Sequence, residues 1–415
     1  MMDSIEPKTL QPEGAAPLEK ADPAIYPPDE AVAAPTEIFE EPLVTTQEEE
    51  RISIASNWTL VWWRFRKNVL AVISTVILLF LAIVVFIPDF FATMDPEETN
   101  ARLAFIPVQR IHWLDEGQLK PWVPSVVGKR DPVTLAMKWT TDEAQKTYIR
   151  FFGTSWSYSV LGIFDSNIHL VSAAKADQAD DDLAAQIFLL GTDRLGRDQW
   201  SRLAFATQIS MTIGMISVIV SVVLGLLLGG ISGYFGGWID NIIQRLIELL
   251  QSLPTIPIWL ALTAALPRTW SPEKVFFAIT IILALRGWTT LGREVRGRFL
   301  SLREEDFVLA AELGGASQAR IIVKHMIPTF TSHIIATSTL AIPVMIVTET
   351  SLSFLGLGMR PPAISWGVML QEAQNIQTLA LAPWLLTPGL IVIVAVLAFN
   401  LVGDGLRDAA DPYSH

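Results

Sequence analysis

The sequence predicts an all-α polytopic membrane protein with six transmembrane helices, and two observations lead to this fold class. Hydrophobic residues make up 51% of the 415 residues, while charged residues make up only 17%. A water-soluble surface needs more charge than this, so much of the exterior must face lipid. Apolar runs of about 20 residues, long enough to cross the hydrocarbon core, also recur along the chain.

Composition also excludes several functional classes. The chain has no cysteine, so a thiolate metal site, a cysteine nucleophile and a disulfide framework are excluded. Its net charge is −12 and it has no basic arm, which disfavours nucleic-acid binding. Five scattered histidines do not form the cluster that a membrane-bound metalloenzyme would need. We therefore predict no metal site and no catalytic residue.

The first element in chain order is an acidic tail. Residues 1–50 contain 13 acidic residues, two lysines and eight prolines, and few aromatic residues. Such a segment buries too little apolar surface to offset the entropy of ordering. We predict that residues 1–55 form a disordered cytoplasmic tail. A dispensable leader is favoured over a docking segment.

The first span follows directly, in a unit covering residues 56–92. Trp58, Trp62 and Trp63 beside Arg64 and Arg66 predict a short helix at the membrane interface. The apolar run from Asn68 to Phe91 then predicts the span itself. Basic residues before this run and acidic residues after it place the N-terminus in the cytoplasm.

A segment of about 110 residues, 93–205, separates the first span from the second and falls on the outer, periplasmic side. Its length and aromatic runs predict a fold of its own. Contact with a partner or substrate and a role as a plain spacer are equally favoured.

Five further spans are expected in a helical core over residues 206–404. They are Ile209–Tyr234, Asp240–Leu266, Val275–Trp288, Ile334–Phe354 and Pro383–Val402. The second span is rich in glycine, which lets helices approach closely, so we expect it at the centre of a bundle.

The charges of the loops predict the orientation. The segment 293–328 lies between the fourth and fifth of the six spans and carries a concentration of arginine and lysine. The positive-inside rule places it in the cytoplasm, together with both termini, including residues 405–415.

Within that cytoplasmic segment the pattern predicts a helix, a glycine turn and a second helix. Acidic residues at Glu304, Glu305 and Asp306 favour a helix start. Gly314 and Gly315 predict a left-handed turn, with a positive φ at Gly315. Pro328 is expected to end the second helix. We call this helix–turn–helix, residues 304–328, the lever. Its shape suits binding in a groove of another protein better than that of a plain loop connecting two spans.

Ionisable residues near membrane depth are candidate functional groups. Arg245 and Glu248 lie three residues apart on one helical face, where an internal ion pair explains them. Glu349, alone in an apolar span, is as well explained by substrate contact as by structure. Asp404 belongs to a third charged group with Arg407 and Asp408.

The residues of the lever resemble the coupling loop of ABC importer permeases. The family pattern is Glu-Ala-Ala, three residues, Gly, nine residues, Ile-x-Leu-Pro. Four positions match it, and Leu309, His325 and Ile327 depart from it. The resemblance assigns ATPase coupling to seven residues: Ala310, Ala311, Glu312, Gly314, Gly315, Ala316 and Pro328.

Three other stretches are similar to the dipeptide and oligopeptide branch of this family. The first contains Gly191, Thr192, Asp193, Gly196, Arg197 and Asp198, ahead of the second span. The second runs from Glu349 to Gly367 and the third from Phe399 to Asp408, with Asp404 among its motif residues. The enlarged outer segment looks most like that of the microcin C-type oligopeptide permeases.

The resemblance implies a type I ABC importer permease fold in the bacterial inner membrane, forming half of a peptide pathway. It implies a homologous second permease, a cytoplasmic ABC ATPase as one fused chain or two chains, and a periplasmic peptide-binding protein. The chain has no Gly-x-x-x-x-Gly-Lys-Ser/Thr loop, so we expect it to bind no cofactor and to hydrolyse no ATP, with ATP and magnesium on the partners. We also expect the glycine-rich span to face the second permease. The alternatives are a permease of the same family for nickel or another small solute, and a secondary transporter, which the lack of a convincing internal repeat disfavours.

Overall fold

The computed structural model describes residues 57–130, 132, 137–160, 162–173 and 186–410. The predicted acidic tail therefore lies outside the described residues. So do residues 411–415 and Leu161 in the outer segment.

A helical bundle forms most of the described chain, as predicted. In chain order its helices are α1 (Asn57–Lys67), α2 (Val69–Phe86), α3 (Pro88–Phe91), α4 (Gln199–Phe235), α5 (Gly237–Ser252), α6 (Thr255–Ala264), α7 (Pro272–Leu302), α8 (Asp306–Leu313), α9 (Gln318–Phe354), α10 (Trp366–Glu372), α11 (Ile376–Leu381) and α12 (Pro383–Ala410). Within the described ranges, five helices are long and apolar enough to cross a membrane: α2, α4, α7, α9 and α12. The pair α5 and α6 counts as a sixth span only if it is taken as one broken helix.

The predicted span Asp240–Leu266 is this broken pair, which bends by 87° between Ser252 and Thr255. Pro254 lies at the bend, and a proline lacks the N–H that a continuous helix would need. The sequence pattern of apolar residues continues through the bend, so hydropathy alone did not reveal it.

Several boundaries differ from the predicted ones. The first span stops at Phe86 rather than Phe91, because Ile87 leaves helical geometry and Pro88 starts a new turn. The next span starts at Gln199, where the Asp198 side chain accepts a hydrogen bond from the Ser201 backbone at 2.8 Å and caps the helix. The last helix continues past Asp404 to Ala410.

The segment between the first two spans is where the all-α prediction needs correction. It forms a four-stranded antiparallel sheet in the order β1 (His112–Asp115), β2 (Gln118–Arg130), β3 (Met137–Val160) and β4 (Phe164–Ala173). The long β3 pairs first with β2 and then with β4. Its threonine, tyrosine, isoleucine and phenylalanine residues favour strands, because branched and aromatic side chains pack well on a pleated surface.

The sheet is fixed to the end of the first span by His169, which is fully buried. Its Nδ1 lies 2.8 Å from the carbonyl oxygen of Asp89, and its Nε2 lies 3.0 Å from that of Trp156. We call this end of the bundle the sheet end.

The glycine-rich helix α4 lies at the centre of the bundle, as predicted, and packs mainly against α7. A Cβ at Gly229 would come within 2.4 Å of the Gly292 carbonyl oxygen, so the two backbones are in close contact. Gly214, Gly225 and Gly233 likewise face α7 or α9 of this same chain. The glycine face is therefore occupied within this chain, and contact of the glycine-rich span with a second permease stays a prediction.

Candidate functional site

The segment 293–328 forms the helix–turn–helix that the sequence predicts, at the end of the bundle opposite the sheet. Helix α8 ends in a Schellman motif, in which the Ala316 N–H donates to Ala311 O at 3.0 Å and the Gly315 N–H donates to Glu312 O at 2.9 Å. Gly315 has φ +79°, as expected, and a Cβ there would meet no atom within 4 Å. Gly314 stays right-handed, so the left-handed turn rests on Gly315 alone.

The second helix of this pair differs from the prediction. It starts at Gln318 after the Ser317 cap and does not end at Pro328. A wide turn over Ile321–Met326 and a tight turn over Ile327–Phe330 carry the chain past the proline into α9. The wide turn accommodates the missing N–H of Pro328 without stopping the helix.

One side of this helix pair is buried against the bundle. Val308, Ile321 and Met326 pack with Val295 and Phe299 of α7 in a hydrophobic cluster. This packing fixes the pair on the long helices that continue into the membrane.

Polar contacts add to this attachment. Tyr234 at the end of α4 donates a hydrogen bond to the Glu312 carboxylate at 2.9 Å. Arg296 donates through two nitrogens to Asp240 of α5, at 2.5 and 2.6 Å. A paired guanidinium and carboxylate in this fork geometry hold two helices in register.

The other side of the helix pair is open and apolar. Leu313, next to the turn, is 91% exposed, and Phe307, Leu309 and Val323 are also exposed. Of the seven predicted coupling residues, Ala310, Glu312, Gly314, Gly315 and Pro328 are exposed. Large apolar side chains at an exposed turn are typical of a surface that meets a partner.

A second site lies at the sheet end, where the motif residues form a buried ion network. Arg197 donates to Asp193 at 2.7 Å and to Glu372 at 2.8 Å. Arg202 donates to Asp193 and, at 2.9 Å, to Glu372. Two guanidiniums thus face two carboxylates, and we call these four residues the latch. It ties the start of α4 to α10, which precedes the last span.

The remaining motif residues shape the loop around the latch. Thr192 donates to Leu103 O at 2.5 Å and accepts from the Ile106 N–H at 2.8 Å. Asp198 accepts from the hydroxyls of Thr93 and Ser201 at 2.9 and 2.6 Å. Gly191 and Gly196 both have positive φ in this loop. The motif therefore has a clear structural role, in which it joins the first two spans.

The latch also controls the ionisation of Glu372. Burial acts to raise the pKa of this carboxyl, but the Arg202 and Arg197 guanidiniums outweigh it, so the pKa of Glu372 lies below its ordinary range. The carboxylate therefore stays ionised at neutral pH.

Glu349 has no exposed surface and joins three parts of the bundle. It accepts from Ser210 of α4 at 2.9 Å and from Ser353 of α9 at 2.7 Å. Those two hydroxyls in turn accept the backbone N–H groups of Trp366 and Met359. This arrangement favours the structural interpretation of Glu349 over contact with a substrate.

The other predicted charges lie apart from these sites. Arg245 and Glu248 form the expected ion pair at 2.7 Å, on an exposed face of α5. Asp404 is exposed on α12, next to Gly405, where α12 approaches Ala71 of α2.

Sequence reasoning missed two residues. Glu372 gave no local signal, because it joins the latch only when α10 folds back towards α4. Arg286 did give a signal, since it lies inside the predicted span Val275–Trp288 and a cation at such depth is unusual.

Comparison with known proteins agrees with the motifs. The family described as "Binding-protein-dependent transport system inner membrane component" matches residues 221–413. The family described as "N-terminal TM domain of oligopeptide transport permease C" matches residues 56–107. The four strands lie between the two matched ranges.

The chain matches most of the length of two relatives. The oligopeptide transport system permease protein OppC of Salmonella typhimurium is 38% identical over 250 residues, which are 60% of this chain and 78% of that protein. OppC of Bacillus subtilis is 33% identical over 223 residues, which are 54% of this chain and 70% of that protein. Among solved structures, an inward-facing form of the MetNI methionine ABC transporter aligns with 50% of this chain and 95% of that chain, at 15% identity and a TM-score of 0.38.

Proposed function

The chain belongs to the OppC-type oligopeptide permease family, and on this premise we propose that it is the transmembrane subunit of an ATP-driven peptide importer. The observation that carries the proposal is the helix–turn–helix of segment 293–328, with an apolar exposed face and Leu313 beside its turn. The buried side of the pair is continuous with α7 and α9, so movement at this surface reaches the membrane-spanning helices. In this arrangement an ATPase domain binds the exposed face and drives the permease.

The orientation is part of the same proposal. Arginine and lysine residues are concentrated at the 293–328 end, which favours the cytoplasmic side of the inner membrane for that end and for both termini. The sheet then lies on the outer side, where a peptide-binding protein would deliver its cargo. That this chain binds no cofactor, and that partner subunits hold ATP and magnesium, are further predictions.

A second permease completes the pathway in this proposal. Because the glycine face of α4 is occupied by α7 and α9, the surface available to the partner on α4 is the exposed row Ile219, Val223 and Leu227. The finer placement among microcin C-type permeases, and with it the length and sequence of the peptide, stays a prediction.

Site-directed crosslinking tests the ATPase surface directly. The chain contains no cysteine, so a single cysteine at Leu313 reports on one position only. In membranes that contain the assembled transporter, we expect Leu313→Cys to crosslink to the ATPase. The matched control is Leu119→Cys, which is 77% exposed on β2 at the sheet end. An ATPase crosslink from position 119 but not from 313 would overturn the assignment.

Reconstitution tests the transport activity. Proteoliposomes that contain this chain, the second permease and the ATPase, supplied with binding protein, should take up labelled peptide only when ATP is present. Uptake driven by an ion gradient without ATP would instead identify a secondary transporter.

A further inference from the structure

A groove of about 290 Å³ lies inside the bundle, between α4, α6, α7 and α9. Its wall combines apolar side chains with the hydroxyls of Ser221, Thr290, Thr337 and Ser338. Among the described residues that line it, only Arg286 of α7 is ionisable, so this lining carries a positive charge.

Arg286 lies deep in the membrane-spanning part of the molecule. It is fourteen residues from Pro272 and sixteen from Leu302, or about 21 and 24 Å from the two ends of α7 at the helical rise per residue. Among the described residues no carboxylate lies within ion-pair distance of it. Its Nη2 donates to the neutral hydroxyl of Thr255 at 3.2 Å, and its Nε is buried without a hydrogen-bond partner.

A second unpaired donor lines the same groove. Trp259 is only 7% exposed, and its Nε1 is buried without a partner. A buried donor without an acceptor costs free energy, so Arg286 Nε and Trp259 Nε1 at one groove favour the binding of an acceptor there.

The break between α5 and α6 adds to the positive character of the groove. Helix α6 starts at Thr255, inside the groove, and no side chain caps its first N–H groups. The N-terminal end of a helix carries partial positive charge and favours an anion. Breaks in membrane helices are tolerated where they line a cavity, and such helix ends bind charged groups of transported substrates.

Acidic side chains on the neighbouring turns are already occupied. Glu294, further along α7, lies 3.2 Å from His333 of α9. Glu349 of α9 is bonded to Ser210 and Ser353. Neither of these carboxylates pairs with Arg286, so its guanidinium is open to an anion from outside the described part of this chain.

We propose that this groove binds the C-terminal carboxylate of a transported peptide, with Arg286 as the anion-binding residue and the Trp259 indole N–H as a second donor. The proposal rests on the proposed function, since it names the group of the cargo that the pathway recognises. A guanidinium presents paired donors that match a carboxylate, and each linear peptide with a free C-terminus supplies one. The hydroxyls along the wall offer weak, exchangeable hydrogen bonds to the peptide backbone. Binding can then be specific for the carboxylate and still permit release.

The test compares two peptides that differ only at the C-terminus, one with a free carboxylate and one amidated. Uptake into proteoliposomes is measured with the assembled transporter at saturating binding protein, after the affinity of the binding protein for each peptide has been determined. For Arg286→Gln we expect uptake of the free-acid peptide to fall roughly 10-fold or more, the effect of losing a charge-assisted hydrogen bond. Uptake of the amidated peptide should change by less than about 2-fold.

Two further variants keep the result interpretable. Arg286→Lys should recover part of the free-acid uptake, because it restores the charge but not the planar fork. Lys274→Gln removes a different, exposed cation at the start of the same helix and should leave both uptake rates unchanged.

Each remaining outcome decides against the proposal or against its premise. Equal loss for both peptides, together with loss of the second permease on purification, would show that Arg286 pairs with that subunit instead. Unchanged uptake of both peptides by Arg286→Gln would also overturn the site. No ATP-dependent uptake of either peptide by the wild-type transporter would contradict the proposed function itself.

Discussion

The two ends of the helical bundle differ in how deeply their charged side chains are buried. At the sheet end, two arginines and two carboxylates are buried together in the latch, where Arg202 has only 1% of its side chain exposed. At the 293–328 end, Arg303 is half-buried, the Glu304 side chain with which it pairs is 76% exposed, and Leu313 is exposed to solvent. The sheet end buries its charged residues in a network that holds spans together, while the 293–328 end combines the partly buried Arg296–Asp240 pair with an uncovered apolar turn.

This difference separates a structural motif from a contact surface. A buried network of complementary charges gives fixed geometry, because removing one member leaves the others unpaired in a low dielectric. An exposed pair contributes little to stability, since water and salt screen it. Substitutions at the sheet end should therefore change stability, and substitutions at the 293–328 end should change coupling.

The largest effect is expected for Glu372→Ala. It leaves two buried guanidiniums with one carboxylate, and breaking a buried pair in this way costs about 3–5 kcal/mol. The Tm of the transporter in detergent should fall clearly. The matched control, Glu304→Ala, removes the carboxylate of an exposed pair and should leave Tm almost unchanged. Equal Tm values for the two variants would remove the contrast between the two ends.

Acidification should also lower the Tm, because it weakens the ion pairs of the latch. Because the pKa of Glu372 is lower in the folded protein than in the unfolded chain, its contribution to stability is complete above the unfolded-state pKa. That contribution is lost as the pH falls through the folded-state pKa. The Tm of the wild type should therefore decrease more steeply on acidification than the Tm of Glu372→Gln. Parallel Tm curves would show that Glu372 does not contribute in this way.

A smaller effect on stability, but a clear one on coupling, is expected for Gly315→Val. A β-branched residue at φ +79° is strained by about 1–2 kcal/mol, although a Cβ there meets no neighbour. The complex should still assemble, while peptide-stimulated ATP hydrolysis falls. Gly315→Asn is the control, because asparagine tolerates a left-handed turn. Normal stimulation in Gly315→Val would exclude this turn from the coupling surface.

The smallest effect is expected from deletion of residues 1–50, which lie outside the described part of the chain. Their composition predicts no packed structure, and the basic residues Arg64, Arg66 and Lys67 that orient the first span are retained. Peptide uptake at equal expression should stay near the wild-type level. A loss of insertion or of uptake would assign the tail to one of the functional surfaces.

Features that depend on local chemistry could be predicted from the amino-acid sequence. Apolar runs predict membrane helices because lipid leaves no other way to satisfy the backbone. The positive φ at Gly315 followed from its place after a short helix, and the i, i+3 spacing predicted the Arg245–Glu248 pair. Four ordered motifs were enough to identify the family.

Features that join residues distant in the chain could not be predicted, because they form only when the helices and strands pack together. Glu372 is 175 residues from Arg197, so no local pattern indicates their ion pair. The bend at Pro254 lies within a segment whose hydropathy suits a single span, yet it brings Thr255 to Arg286, 31 residues away. The strands of residues 112–173 depend on pairing between segments, which hydropathy does not measure. In each case the physical reason is the same: the energy of a buried charge, a broken helix or a sheet is set by the neighbours that folding supplies.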